Sequence, residues 1–466
     1  MSVRVDDCFW LRVFPVILNS LKGLTANYVM NIQIWVSQIT QFFRHLISAN
    51  SRIGLLSIFL SLCLLFLSGC QGTVKQENGV IHLTLWQGIN PPANRDVFEK
   101  LVAKFNQTHA DVQIESIYAE GLPKILTAVV GNVPPDILLF YPQTTGQLVE
   151  LGAVRPLDDW LDKLPEKSQI VPSLFEEMQL DGHIWSVPLY TANMGVFYRP
   201  RLFEEAGITE TPKTWEELRQ VAKKLTIDRN GDKRPEQYGI LLPLGKGEWT
   251  VFSWLPFLWG AGGEIVTNKQ PNLTSQAAVT ALQFWQDLIK DGSAMLSSPE
   301  RGYEEDAFVG GRVAMQITGP WTYIMKSNID YQAFPIPGNI KSATAIAGSN
   351  FYVMKTQPAR EEAALKFLEY VLSEEFQTEW SIGTGFLPVN IKAAQSEAYQ
   401  QFIDKQPVLK VFLEQMSVAQ TRPIISQYNR LSDSLGRAIE SSLLGESVQQ
   451  ALQTSQKRLE LIWVEK

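Results

Sequence analysis

The chain has 466 residues, of which 45% are hydrophobic and 19% charged. This is ordinary for a globular protein and long enough for two or more domains. The composition excludes wholesale disorder, a collagen-like repeat and a polytopic membrane protein. The net charge of −7 argues against nucleic acid as the main partner, because phosphate binding needs a basic face.

The first candidate element is an apolar segment at 53–69, which follows basic residues and ends in the sequence LSGC at Cys70. This layout is typical of a secretory signal, and the segment is slightly short for a membrane-spanning helix. The LSGC sequence also resembles a bacterial lipobox. We therefore expect 1–69 to be a leader and lipoprotein signal peptide and Cys70 to carry the lipid. The alternative is an uncleaved signal anchor with an incidental cysteine.

The other two cysteines, Cys8 and Cys63, both precede Cys70. Cleavage there would leave one cysteine, so no disulfide could form within the mature chain. Acyl chains on that cysteine would anchor the protein to a membrane. Residues 70–79 are polar and predict a flexible tether. The leader is unusually long for a signal peptide, and Met30 is an alternative translation start.

The mature chain opens with alternating strand and helix patterns. Alternating or continuous apolar residues predict strands at 81–88, 112–118 and 134–141. Apolar residues at helical spacing predict helices at 94–107 and 122–132. This β-α-β-α-β order within a short stretch is the signature of a layered α/β domain.

The rest of the chain continues the mixture without a Pro/Gly/Ser linker or an internal repeat. A proline at position 212 predicts a helix start there, capped by Thr211 or Thr214. The further expected strands are 183–190, 194–198, 312–319 and 342–354, and the further expected helices are 212–225, 275–290, 360–380 and the last 40 residues.

Several sequence segments stand in the same order as in one protein family. The chain resembles the extracellular solute-binding proteins of carbohydrate ABC transporters, family 1, the group that includes maltodextrin-binding protein. The resemblance covers about 80–466. The segments that carry it are GNVPPDILLFY, LGAVRPLDDWL at 151–161, DGHIWSVPLYTANMGVFYRPRLFEEAGITETPKTWEEL at 181–218, WGAGGEIV at 259–266, FVGGRVAMQITGPW at 308–321 and TGFLPV at 384–389.

The resemblance implies an α/β, two-lobed periplasmic-binding-protein fold of type II, with lobes joined by crossing hinge strands. The expected crossings lie near Tyr190 and Thr191 and near 335–337. The expected lobes are an N-terminal one of 80–190 plus 338–372 and a C-terminal one of 191–337 plus 376–466.

The function implied by the resemblance is that of a substrate-binding lipoprotein of an ABC importer. Such a protein captures a di- or oligosaccharide or a polyol glycoside between its lobes and delivers it to the permease. We expect a monomer that is exported, anchored through Cys70 and facing the periplasm or cell exterior. We expect no cofactor, no metal, no catalysis and no nucleic-acid partner.

A sugar site needs flat aromatic rings for the apolar ring faces and planar polar groups for the hydroxyls. Residues at strand ends, crossings and turns that match the family pattern are candidates, with Trp321 in the Gly-Pro-Trp turn the foremost. The alternative for each is a packing or turn-forming role. The predicted ligand-binding residues are Trp86, Gln87, Glu120, Tyr141, Asn193, Trp254, Trp321, Gly348, Asn350, Arg422 and Tyr428.

Three other functions remain open. A binding protein for glycerol 3-phosphate or a related phosphodiester would need cations near the cleft, and Arg422 and Arg430 keep this alternative. An exported glycoside hydrolase would need a carboxylate pair at fixed separation, but no motif marks one. The third is a structural or adhesive lipoprotein.

One turn partly matches a calcium-binding loop. Residues 228–232 read DRNGD, but a full EF-hand loop has a glutamate at its twelfth position, where this chain has Gly239. The pattern favours a turn held by Asp and Asn side chains. The four histidines show no metal-binding spacing.

Overall fold

The computed structural model describes residues 79–119, 121–232, 234–298, 306–321 and 327–463. The leader and signal segment 1–69, Cys70 and Glu120 lie outside these ranges. Within them, every helix is too short or too polar to cross a membrane.

Each strand that the sequence predicts is present within a few residues, with 183–190 divided in two, and several further short strands were not predicted. In chain order the strands are β1 Ile81–Gln87, β2 Val112–Tyr118, β3 Ile137–Phe140, β4 Gln179–Leu180, β5 His183–Ile184, β6 Val187–Asn193, β7 Gly195–Tyr198, β8 Tyr238–Leu242, β9 Val266–Thr267, β10 Gln270–Pro271, β11 Ala294–Leu296, β12 Val313–Thr318, β13 Gln332–Pro335, β14 Thr344–Val353 and β15 Ala419–Gln420.

Helices separate most of these strands. In chain order they are α1 Pro92–Thr108, α2 Leu122–Val130, α3 Thr145–Glu150, α4 Asp158–Leu161, α5 Phe175–Met178, α6 Pro200–Glu205, α7 Trp215–Leu225, α8 Glu248–Gly260, α9 Gln276–Lys290, α10 Asp306–Val309, α11 Pro358–Leu372, α12 Glu374–Thr384, α13 Ile391–Gln395, α14 Glu397–Lys405, α15 Val408–Gln415, α16 Tyr428–Leu443 and α17 Val448–Glu460.

Two sheets form the centres of two lobes. The N-terminal sheet has the order β15-β14-β3-β1-β2, with β6 also paired to β14. Strand β1 is parallel to β2 and β3, whereas β14 is antiparallel to β3 and β6. The C-terminal sheet has the order β11-β8-β12-β7-β13. This confirms the predicted α/β, two-lobed architecture.

The chain passes between the two cores along β6 and β14. Ala192 belongs to the N-terminal core, and Met194, between β6 and β7, belongs to the C-terminal core. Within β14, Ala345 packs in the C-terminal core and Ile346 in the N-terminal core. The two lobes are therefore joined by an antiparallel pair of strands, and β15 pairs in parallel with the start of β14.

Core membership places two lobe boundaries differently from the expected positions 338 and 376. The second crossing falls inside β14, several residues later than expected. Helix α12 remains with the N-terminal lobe, because its Trp380 packs edge-on against Phe98 of α1 with ring centroids 6.2 Å apart. The chain leaves this core after Val389 and joins the C-terminal lobe by Tyr399.

Local signals at helix ends explain two further differences. Thr214 caps α7 in a capping box with Glu217, so the helix begins after Pro212 rather than at it. The predicted helix 360–380 is two helices, because the Ser373 side chain caps the start of α12 by accepting from the Phe376 amide. A serine cap inside an apolar stripe marks such a break.

A buried ion pair holds the first strand to helix α11. Asp136 accepts two hydrogen bonds from the Arg360 guanidinium at 2.6 and 2.5 Å and one from the Thr84 amide at 2.7 Å. The Asp136 side chain is 3% exposed. Removing one partner of such a pair leaves an uncompensated buried charge.

We expect Asp136→Ala to lower the free energy of unfolding by about 3–5 kcal/mol in urea denaturation, because Arg360 and the Thr84 amide lose their acceptor. The matched control is Asp111→Ala. Its partner is Lys366, and both side chains are more than half exposed, so the loss should be much smaller than that of Asp136→Ala. Equal losses in the two variants would contradict this account.

Candidate ligand-binding site

A cavity of about 400 Å³ opens at the edge of the N-terminal sheet where the parallel strands β1 and β3 end. Ligand sites in α/β proteins commonly lie outside the carboxyl ends of the strands. The walls come from the loops after β1, β3 and α12, the start of α2 and the crossing strands. The lining residues are Gly88, Ile89, Asn90, Gly121, Leu139, Phe140, Tyr141, Tyr190, Ser349 and Phe386.

Stacked aromatic rings form one wall of the cavity. The rings of Tyr190 and Phe386 are nearly parallel with centroids 3.9 Å apart, and Trp380 lies parallel behind Phe386 at 6.1 Å. The hydroxyls of Tyr190 and Ser349 share a hydrogen bond of 3.1 Å. Burial raises the pKa of Tyr190 above its usual range, so this hydroxyl stays neutral. The wall therefore offers flat apolar rings edged by neutral hydroxyls.

The predicted residues of the first and third strands have different positions. Tyr141 lines the cavity and is 53% exposed. Trp86 packs against a neighbouring cluster, with the Lys124 ammonium 5.2 Å from its ring centroid. Gln87 is buried, and its Oε1 accepts from the Ile89 amide at 2.8 Å. Gln87 thus shapes the loop that lines the cavity without lining it itself.

Three predicted residues hold the crossing strands in place. Asn193 is buried, and its Nδ2 donates to the Phe412 carbonyl at 2.7 Å. Asn350 is also buried and donates to the Ser186 hydroxyl at 2.9 Å. A Cβ at Gly348 would lie 2.9 Å from the Tyr190 carbonyl oxygen, which is closer than real contacts allow. None of the three is among the lining residues of this cavity.

The two predicted tryptophans of the C-terminal lobe differ in burial and in their distance from the cavity. Trp254 lies on helix α8 and is fully buried in the C-terminal core, so the structure does not bring it to the cavity. Trp321 is half-buried and packs against the cores of both lobes. Its ring centroid lies 6.3 Å from that of Trp249, a half-buried residue at the start of α8 that the sequence does not single out.

The turn that carries Trp321 approaches the cavity from the C-terminal lobe. A Cβ at Gly385, the neighbour of the lining residue Phe386, would lie 3.7 Å from the Pro320 carbonyl oxygen. A Cβ at Gly319 would collide with the Trp321 ring, so glycine lets the indole fold back over the turn. The structure thus brings the Gly-Pro-Trp turn next to the cavity wall.

Arg422 and Tyr428 lie in a buried polar cluster. The Arg422 guanidinium donates to Glu248 Oε1 at 2.8 Å and to the Ile346 carbonyl at 3.3 Å. With the Gln143 amide oxygen facing it, the guanidinium also donates twice at 3.0 Å. The Tyr428 hydroxyl donates to the same Glu248 oxygen at 2.7 Å. These donors are therefore committed to protein acceptors.

Residues missed by sequence reasoning supply much of the lining. Tyr190 and Phe386 both lie inside segments that carry the family resemblance, at 181–218 and 384–389, but nothing in those segments separates them from core residues. Their role follows from the ring stack, which pairs residues far apart in the chain.

The acidic turn behaves as expected for a structural turn. The Asp228 and Asn230 side chains accept from the amides of Gly231 and Asp232 at 2.8 and 2.9 Å. Within the described ranges, no group of three or more His, Cys, Asp or Glu side chains is arranged to hold a metal ion.

Comparison with known protein families shows to which family the chain belongs. The family described as bacterial extracellular solute-binding protein matches residues 100–405, which is more than half of the chain. The chain belongs to this family. The resemblance seen in the sequence is thereby confirmed.

Individual relatives of this solute-binding protein have different ligands. It is 25% identical over 333 residues to a binding protein of Brucella abortus, covering 70% of this chain and 78% of that one. It is 24% identical to the sn-glycerol-3-phosphate-binding periplasmic protein of Brucella melitensis, covering 78% and 84%. The structure of a cyclic alpha-maltosyl-1,6-maltose binding protein from Arthrobacter globiformis matches with a TM-score of 0.72, 26% identity, and coverage of 83% and 99%.

A buried carboxyl of the solute-binding protein lies behind the crossing strands. Glu177 on α5 is 1% exposed, and its Oε2 lies 3.5 Å from where a Cβ of Gly348 would be. Burial raises the pKa of Glu177 to about 7, with Glu176 also raising it and Arg422 lowering it. The removal of the carboxylate from water is the main cause, because burial disfavours the charged form.

This raised pKa predicts a pH-dependent stability. The folded solute-binding protein binds the Glu177 proton more tightly than the unfolded chain, so the contribution is fully present below about pH 4.5 and is lost as pH rises toward 7. We expect the free energy of unfolding of the wild type to fall by about 3 kcal/mol as the pH rises, and Glu177→Gln to show no such fall. Urea unfolding at pH 5 and 7.5 measures the difference. The variant Glu204→Gln, at an exposed position on α6, should keep the wild-type slope, and a wild-type slope in Glu177→Gln would contradict the assignment.

Proposed function

We propose that this protein is the substrate-binding subunit of a sugar ABC importer and that it captures an uncharged di- or oligosaccharide or polyol glycoside. The observation that carries the proposal is the cavity at the carboxyl ends of β1 and β3. Aromatic rings of Tyr141, Tyr190 and Phe386 line it together with the Ser349 hydroxyl, and none of the described lining side chains is charged.

The chemistry of this lining fits a sugar. Aromatic faces pack against the apolar face of a pyranose ring and remove it from water. Neutral hydroxyl and amide groups, such as those of Asn90 and Ser349, can bond to sugar hydroxyls and set orientation. The similarity to a structure of a cyclic alpha-maltosyl-1,6-maltose binding protein supports the same ligand class.

Lobe closure would complete the site. The crossing strands β6 and β14 offer a hinge, and the Trp321 turn lies on the C-terminal side next to Phe386. A ligand held on the N-terminal wall would then be covered by that turn when the lobes approach. Closure requires the ligand to bind the closed arrangement more tightly than the open one. The closed monomer would dock on the permease subunits and release the sugar there.

An anionic ligand is the second candidate, because a relative that binds sn-glycerol 3-phosphate covers much of the chain. Such a ligand would need cationic partners in the site. The donors of Arg422 that a phosphate would use are bonded to Glu248, Gln143 and Ile346. The neutral ligand is therefore the better fit. We also take the protein to bind and not to hydrolyse its sugar, as the related binding proteins do.

A thermal-shift screen followed by calorimetry tests the proposal. We expect one of maltose, maltotriose or glucosylglycerol to raise the melting temperature by mass action, and sn-glycerol 3-phosphate and glycerophosphocholine to leave it unchanged. Tyr141→Ala should weaken binding of that sugar by about 1–3 kcal/mol, since a stacked ring is lost. Trp463→Ala, away from the cavity, is the control. A shift with phosphates alone would overturn the neutral-sugar proposal.

The lipid anchor has its own test. We propose that the protein is exported and held at a bacterial membrane by acyl chains on Cys70. Two or more acyl chains make such an attachment stable. Wild-type protein should partition into detergent and carry labelled palmitate. Cys70→Ser should lose both, whereas Cys63→Ser should keep them. Membrane retention of Cys70→Ser would show that the hydrophobic segment itself is the anchor.

A further inference from the structure

A single buried guanidinium is bonded to both lobes. Arg422 lies just after β15, and its side chain is 7% exposed. It donates to Glu248 at the start of α8 in the C-terminal lobe, and also to Gln143, which follows β3 in the N-terminal lobe, when the Gln143 amide oxygen is turned toward it. It also donates to Ile346 on the crossing strand β14. Any rotation of one lobe against the other must therefore rearrange the contacts of Arg422.

The N-terminal lobe holds a second carboxyl within the electrostatic reach of Arg422. Glu177 is buried on α5, and its Oε1 has no hydrogen-bond partner among the described residues. The charge of Arg422 lowers the pKa of Glu177, and the charge of Glu177 raises that of Arg422. Buried carboxyl oxygens are almost always bonded in native proteins, so this unpaired oxygen needs an explanation.

The two carboxyls differ in how well each tolerates the loss of Arg422. Glu248 is 41% exposed, and it keeps hydrogen bonds from the Tyr428 and Ser432 hydroxyls when the guanidinium leaves. Glu177 is removed from water, and its Oε1 has no such donor among the described residues. The departure of Arg422 from Glu248 would therefore leave a solvated and bonded carboxylate, while its arrival at Glu177 would satisfy an unpaired one.

We propose that Arg422 changes its carboxylate partner when the lobes move, with Glu248 as the partner in the arrangement described above and Glu177 in the other. The inference rests on the proposed function only in assuming that the lobes rotate. The exchange makes Arg422 a positioning residue that gives the hinge two discrete arrangements. A ligand in the cavity then selects between two states instead of bending a continuous hinge.

Gly348 makes the exchange sterically feasible. The Glu177 carboxyl lies against the position where a side chain of residue 348 would begin. Because glycine stands there, the carboxyl has room beside the crossing strand β14. Ile346, two residues earlier on the same strand, already accepts from Arg422. The same short stretch of β14 therefore borders both the present position of the guanidinium and its second partner.

The test measures the distance between the lobes without any ligand. Spin labels on unnatural amino acids at the exposed positions Lys163 and Glu210, one in each lobe, report the distance distribution by pulsed electron spin resonance. We expect Glu177→Gln to increase the population in which Arg422 pairs with Glu248. Glu248→Gln should increase the population in which Arg422 pairs with Glu177, so the two variants shift the distance distribution in opposite directions. Glu204→Gln, at an exposed position on α6, is the control and should leave the distribution unchanged.

A purely structural role for the cluster predicts a different result. Loss of either carboxyl would then broaden the distribution in the same way or leave it unchanged, and either result overturns the exchange. If Glu248→Gln fails to fold, the pH dependence of the wild-type distance distribution tests the exchange instead. Protonation of Glu177 between pH 8 and 5 should shift the distribution as Glu177→Gln does, and that variant should show no pH dependence. An invariant wild-type distribution would overturn the proposal.

The pH dependence of the distance distribution depends on the titratable and charged groups around Glu177. Arg422 and Glu176 act on its carboxyl, and Tyr190 and Tyr352 lie close enough to respond to its charge. Burial holds the pKa values of both tyrosines well above the range from pH 5 to 8, so they do not titrate with it. The ligand screen can fail while these distances still shift, because no ligand is present. The failure of the proposed function and that of the exchange are therefore distinguishable.

Discussion

The antiparallel pairing of β6 with β14 is the constraint on which the rest of the structure depends. These two strands carry the chain between the cores and also present Tyr190 and Ser349 to the cavity, as direct neighbours in the register. The strands approach so closely at Gly348 that no side chain fits against the Tyr190 carbonyl. A movement at the hinge is therefore a movement of the binding wall, which couples ligand contact to lobe position.

Charge is kept behind this pair of strands and out of the cavity. Arg422 and Glu177 are buried here, and Arg422 donates to the partly exposed Glu248. The described cavity lining is neutral. A neutral polar surface with stacked rings can discriminate between hydroxyl patterns, and it imposes a penalty on a charged ligand that would lose water without gaining a partner. On the proposals made above, the placement of charge would act on selectivity as well as on the hinge.

Local patterns in the sequence were sufficient for the elements and the fold class. The first three strands and two helices were predicted within a few residues, because alternation and helical spacing reflect burial on one face. The order of family segments indicated two lobes. Cap residues fixed details that patterning missed: Ser373 divides one predicted helix into α11 and α12. Both helices have apolar stripes, so the sequence could not show that α12 packs on the N-terminal core.

What the sequence by itself determined was a set of candidate residues at strand ends, crossings and turns. Of these, Tyr141 lines the cavity and the turn of Trp321 lies next to its wall. Only the tertiary structure decided which of these side chains face the cavity. Helix α8 is apolar on all sides, so burial of Trp254 and partial exposure of Trp249 depend on what packs around the helix. Asn193 and Arg422 are polar residues whose partners lie far away in the chain. Whether such a group meets a ligand or another protein atom depends on long-range packing, which local sequence does not encode.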